Sequence, residues 1–209
     1  MASIGEVERI QNVDRFEESL RRILPGDEGT RFAVAQMIGK LPPTSTRRII
    51  AIASCNEFGV REAIPYLRAA FEERGKGLRD VRYPAMLALV VLLEGDEKAA
   101  FLVTALEDGD YIIAEGAAIE VGIAADRAIV APMLEWLVGR LKRPRSKSQS
   151  RVTAEIIAVC RRFGDAADLA RLDAAVMGIK LAGIERLAVE GAYRGQVLSA
   201  RFPEIVWPE

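Results

Sequence analysis

Apolar side chains recur every three or four residues along most of the chain, which is the spacing of one buried helical face. The clearest stretch is 78–137, where two apolar helical segments joined by an acidic turn are followed by a second pair of the same kind. Alternation with a period of two, which would predict strands, is scarce, and the chain contains no Asn-Gly hairpin signal. The pattern therefore predicts an all-α protein built from tandem helix–turn–helix units.

Caps, glycines and prolines divide this pattern into helices. Pro25-Gly26 ends the first one, Thr44 or Ser45 caps the third, and Gly59 follows its end. The predicted helices cover 6–24, 29–40, 44–58, 60–74, 78–94, 97–107, 111–125, 128–141, 151–163, 166–177 and 181–193. The last residues contain two prolines and are predicted to form an irregular tail.

Four of these helix pairs align at a period of roughly 35 residues. Each first helix has alanine at one equivalent position, and three of the four have arginine three residues before it. These residues are Ala51, Ala85, Ala117 and Ala154, with Arg48, Arg82 and Arg151 before them and Ala114 as the exception. In three second helices, Leu67, Phe101 and Met133 coincide, and so do Ala70, Thr104 and Trp136. One helix pair cannot bury its apolar face alone, so the units are expected to stack.

This pattern resembles the HEAT-repeat family over residues 44–176. The motif residues in the first helix are Asp80, Val81, Arg82, Ala85 and Leu89, and those in the second helices are the segments AIPYL and IVAPML, with Pro65 and Pro132. The resemblance implies a right-handed α-α superhelix of about five helix pairs. It also implies a structural role for Arg82 and Asp80, because such arginines in the family commonly pair with an aspartate of an adjacent unit. The chain departs from the family pattern at Ala114, and its last unit lacks the proline.

One domain is expected over 1–209, with capping helices at 1–43, HEAT-like repeats at 44–177 and a C-terminal cap and tail at 178–209. Composition adds mainly exclusions to this prediction. The net charge of −1 provides no overall attraction to nucleic acid or membranes, and no apolar run is long enough to span a bilayer. The absence of histidine excludes Ser-His triads, His-ligated zinc and the commonest general base. We therefore expect a cytoplasmic protein with no cofactor, no metal and no catalytic residues.

Two residue types still deserve a chemical test. Cys55 and Cys160 lie in apolar helical patterns, which favours buried structural thiols in a reducing compartment over reactive ones. Glu120 occupies a position that is small or apolar in the other units. A carboxylate there favours a salt bridge to a neighbouring arginine over a catalytic role, because no second acid or base is placed beside it by spacing.

A binding face is predicted on the helix at 128–141. Met133, Trp136 and Arg140 have the i, i+3, i+7 spacing that places three side chains on one face, and these residue types are enriched at the centres of interfaces. In HEAT-like stacks the second helices line the concave surface, so this face is a candidate for partner contact. The alternative is that Trp136 covers the contact between neighbouring helix pairs.

A basic segment follows this helix. Six basic residues and no acidic one lie between 140 and 151, among them Arg143, Arg145 and Lys147. Such a segment stays solvated, and it is either a partner contact for acidic groups or a plain connector.

The leading hypothesis is a non-enzymatic HEAT-like scaffold that binds another protein through its concave face, as an adaptor, a regulator or an inhibitor that neutralises an effector. It is expected to be a monomer or a weak homodimer, and nucleic acid and membranes are disfavoured as partners. The alternative is a HEAT-like enzyme, either similar to DNA glycosylases or to bilin lyases. Glycosylases of this kind need a strongly basic concave face with tryptophans, whereas here the charge is balanced and Trp136 is the one tryptophan within the repeats.

Overall fold

The computed structural model describes residues 4–124, 127–141 and 150–177 together with Gly191, apart from the side chains of Arg127, Ser150 and Arg151. Every regular element in this part of the chain is a helix, which confirms the predicted all-α class. None of the described helices combines the length and the apolar character needed to cross a membrane. The basic segment at 142–149 and the predicted helix at 181–193 lie outside the described residues, Gly191 excepted.

Eleven α-helices and one short 3-10 helix lie in the described residues. They are α1 Ile4–Arg9, α2 Val13–Ile23, α3 Glu28–Lys40, α4 Thr46–Glu57, α5 Ile64–Glu72, α6 Arg79–Leu92, α7 Gly95–Leu106, α8 Tyr111–Ala124, α9 Arg127–Leu141, α10 Ser150–Phe163 and α11 Ala166–Met177, with the 3-10 helix Arg61–Ala63 before α5. The chain divides into two compact units, Met1–Glu94 and Gly95–Glu209. The first unit therefore holds α1 to α6, and the second holds α7 to α11.

The first unit has two layers of helices. In one layer α2 packs on α4 and α4 packs on α6, while α3 packs on α5 in the other. Across the layers, α3 contacts α4 and α5 contacts α6. The repeat alignment pairs α4 with α5, yet the main partner of α4 in the opposite layer is α3. The alignment defines the length of the repeat but not which two consecutive helices form one unit. Every helix in a stack has a neighbour on each side, so either neighbour can be counted as its partner.

The second unit follows the same rule. α8 packs on α10, while α7 packs on α9 and α9 packs on α11. α7 with α8 and α9 with α10 make the contacts across the layers. Each unit therefore shows the alternating contacts that stacked helix pairs make. The continuous superhelix and the single domain over 1–209 stay predictions.

The first predicted helix, over 6–24, is wrong because the structure divides it into α1 and α2. Asn12 has an extended backbone, and its side-chain oxygen accepts a hydrogen bond from the Arg15 amide at 2.9 Å. This is an N-cap, which starts a new helix. Apolar residues recur every three residues from Val7 to Phe16, and this spacing conceals the break in the sequence. Val7 and Phe16 are both fully buried, although a continuous helix would place residues nine apart on opposite faces.

The predicted ends of α4 are confirmed in detail. Ser45 is the N-cap, and its hydroxyl accepts a hydrogen bond from the Arg48 amide at 3.2 Å. Gly59 has a φ of +62°, and the amide of Val60 donates to the carbonyl of Cys55 at 2.8 Å. This is the closure that a left-handed glycine permits at a helix C-terminus.

Burial agrees with the repeat alignment at most aligned positions, with Thr104 as an exposed exception. The four aligned alanines, Ala51, Ala85, Ala117 and Ala154, are each 0% exposed. The second-helix residues Leu67, Phe101 and Met133 are also buried. A side chain no larger than a methyl group at the alanine position lets neighbouring helices approach closely.

Buried arginines close the C-terminal ends of two helices. Arg48 donates from Nε to the carbonyl of Ile38 in α3 at 2.7 Å, and Arg82 donates from Nε to the carbonyl of Phe71 in α5 at 2.9 Å. The two arginines are 2% and 5% exposed. Carbonyls in the last turn of a helix lack intrahelical donors, and a cation is favourable at that end of the helix dipole. The repeated arginine therefore has the same role at the start of α4 and of α6.

Arg48 and Arg82 differ in their remaining described contacts. Arg48 makes a bidentate pair with Glu73, at 2.8 Å from Nη1 and 2.6 Å from Nη2. The guanidinium of Arg82 lies 5.3 Å from the ring centroid of Phe71. Asp80 is exposed in the first turn of α6. The structural pairing that the resemblance implies for Arg82 and Asp80 therefore stays a prediction.

We expect Glu73→Gln to weaken the fold near neutral pH and to flatten its response to acid. The hydrogen bond from Arg48 holds the pKa of the Glu73 carboxyl below its ordinary value of 4.5. The stabilisation is therefore complete above that value and is lost as the pH falls through the lower pKa of the folded state. Urea unfolding at several pH values should show a loss of about 1.5–3 kcal/mol near pH 7, shrinking toward pH 3. Glu72→Gln, at the exposed neighbouring position, controls for the change in charge; if both variants respond alike, the Arg48 pair is not the cause.

We expect Ala51→Leu to destabilise the protein by about 1–3 kcal/mol, because the larger side chain overpacks a closed contact. Ala53→Leu is the matched control, since Ala53 lies two residues along the same helix and is exposed. Its change should stay within about 0.5 kcal/mol. Thermal or urea unfolding of the two variants checks this, and equal stabilities would contradict the packing at Ala51.

Candidate functional site

The predicted binding face on α9 is largely closed in the structure. Met133 is 0% exposed and Trp136 is 9% exposed, while Arg140 is half-buried. The indole Nε1 of Trp136 donates a hydrogen bond to Oε1 of Glu107, just after α7, at 2.7 Å. Since α9 packs on α7, this geometry favours the alternative interpretation of Trp136, in which it covers a contact between helix pairs.

The repeat alignment contained a signal for the burial of Met133, because its equivalents Leu67 and Phe101 are both buried. It contained none for Trp136, since one equivalent residue, Ala70, is buried and the other, Thr104, is exposed. The apolar stripe of α9 is therefore wider than the helical pattern suggested, and it includes the tryptophan.

The other sequence candidates are placed as follows. Arg143, Arg145 and Lys147 lie outside the described residues. Asp110, just before α8, accepts a hydrogen bond from the Ile112 amide at 3.0 Å. Glu120 is half-buried on α8, and its predicted salt bridge stays a prediction.

The two thiols are confirmed as buried and free. Cys55 is 0% exposed and Cys160 is 1% exposed. Burial, followed by the negative charges of Glu62 and Asp168 respectively, raises the pKa of both thiols to about 12. A thiol with such a pKa is not a nucleophile at neutral pH. In the described residues, no group of three or more cysteine, aspartate and glutamate side chains is placed to hold a metal ion.

A polar groove lies at the turn between α1 and α2, but its side chains serve the helix that carries them. Asn12 caps α2, and the hydroxyl of Ser19 donates to the carbonyl of Arg15 at 2.7 Å. Arg22 contacts Glu18 one helical turn away. These contacts account for most of the polar groups that line the groove.

An exposed aromatic pair on the second layer of the first unit was missed by the sequence interpretation. Phe32 on α3 is 46% exposed, and Tyr66 on α5 is half-buried beside it. Their ring centroids are 6.5 Å apart with an interplanar angle of 67°, which is the edge-to-face arrangement. The pair therefore joins two packed helices and still presents aromatic surface to solvent.

The residues that follow the two rings along α3 and α5 on the same faces are small or uncharged. Gly39 lies next to the Tyr66 ring, and a Cβ atom at this glycine would be 3.5 Å from the ring atom Cδ1. Gln36 lies one helical turn after Phe32, and the exposed Ala69 lies three residues after Tyr66. No large side chain from these positions covers the rings. We call this surface, formed by Phe32, Gln36, Gly39, Tyr66 and Ala69, the aromatic surface.

Ion pairs formed within the chain lie near both ends of α3. At its start, Nε of Arg31 lies 3.3 Å from Oε1 of Glu62. At its end, Nζ of Lys40 lies 3.3 Å from Oε1 of Glu8. The cations on either side of the aromatic surface are therefore each matched by a carboxylate of the same chain.

A weak signal for the aromatic surface exists in the sequence. Phe32 and Tyr66 lie at the edges of apolar stripes, next to core residues such as Ala35 and Leu67. An aromatic side chain at a stripe edge is compatible with burial and with exposure alike. Only the packing of α3 on α5 shows that the two rings meet.

No protein-family model, no curated protein and no solved structure matches this chain.

We expect Trp136→Ala to lower the free energy of unfolding by about 3–5 kcal/mol, the usual cost of emptying a buried aromatic site. Glu135→Ala is the control on the same helix. Its carboxylate is 69% exposed in a pair with Arg171, and losing a surface pair of this kind costs about 0–1 kcal/mol. Chemical denaturation of both variants provides the measurement. A Trp136→Ala protein as stable as the control would show that the indole is not part of the core.

Proposed function

We propose that this chain is a non-enzymatic, HEAT-like helical-repeat protein that binds another protein, as an adaptor, a regulator or an inhibitor of an effector. The observation that carries the proposal is the aromatic surface. The proposal moves the partner contact from α9 to α3 and α5. Trp136 is the tryptophan that a protein partner, or a nucleic-acid base in a glycosylase-like enzyme, would need to contact. It is 9% exposed, so it offers little surface to either.

The exposed area of Phe32 is a substantial unused source of binding energy. A phenylalanine side chain can bury about 150–250 Å². Phe32 is 46% exposed, and a partner that covered this exposed part would gain a hydrophobic free energy on the order of 2 kcal/mol, at about 25 cal/mol per Å². The costs of association offset part of this gain, so the figure is an upper limit on the contribution of Phe32 to an interface.

The aromatic character distinguishes this surface from other exposed apolar positions. In the described part of the chain, the other large hydrophobic side chains with substantial exposure are aliphatic: Val13, Val91, Ile112, Ile123 and Met177. Singly exposed aliphatic side chains are normal on soluble domains. Paired aromatic rings on two packed helices provide a rigid contact area with little entropy to lose on binding.

We expect Phe32→Ala to abolish partner capture while leaving the fold intact. The full chain and its variants are immobilised, and the proteins retained from a lysate of the native host are quantified by mass spectrometry. A specific partner is retained by the original chain and lost from Phe32→Ala. With the purified partner, calorimetry should show a loss of about 2–4 kcal/mol in binding free energy. The free energy of unfolding should change by less than about 2 kcal/mol, because the side chain is only partly buried.

Val91→Ala is the matched control, since Val91 is 58% exposed in the same unit and lies on α6, which carries neither ring. It should retain the partner at full affinity. Tyr66→Ala tests the second ring and should also weaken binding. A partner that is retained equally by Phe32→Ala and Val91→Ala would contradict a function carried by the aromatic surface.

A further inference from the structure

We draw no further inference here: the strongest candidate, the exposed surface around Phe32 on α3 and Tyr66 on α5, belongs to the site already described, and nothing in the structure shows what covers it.

Discussion

The first unit depends on a guanidinium group that is buried where three helices meet. Arg48 is 2% exposed and carries a positive charge. Burying that charge would be costly unless its donors were satisfied. They are satisfied by the carbonyl of Ile38 and by both carboxylate oxygens of Glu73. The end of α3, the start of α4 and the end of α5 must therefore lie within hydrogen-bonding distance of one side chain.

That constraint also positions the aromatic surface. The carbonyl of Ile38 and the carboxylate of Glu73 hold the ends of α3 and α5, and the pair between Arg31 and Glu62 connects their beginnings. Phe32 and Tyr66 lie between these two fixed points, so their separation of 6.5 Å is a property of the packed scaffold. A binding contact built on packed helices is preorganised, and less free energy is then spent on ordering it.

The tryptophan on α9 shows why residue type alone is a poor guide to a surface. Trp136 has the composition signature of an interface centre, but an indole is also the largest apolar group available to a core. Its one polar atom needs a single acceptor, and Glu107 provides it at 2.7 Å. Phe32 has no polar atom and a less distinctive sequence context, yet it remains 46% exposed.

The sequence by itself determined the helical class and most helix ends. Those features depend on local rules: apolar spacing predicts a helix, Ser45 caps one, and Gly59 ends one. It missed the break at Asn12, because apolar residues recur every three residues between Val7 and Phe16. Only the tertiary structure decided that Trp136 is covered and that Phe32 meets Tyr66. Both outcomes depend on which helix packs beside which. A residue at the edge of an apolar stripe becomes buried or exposed according to its neighbouring helix, and the local sequence pattern does not predict which helix that is.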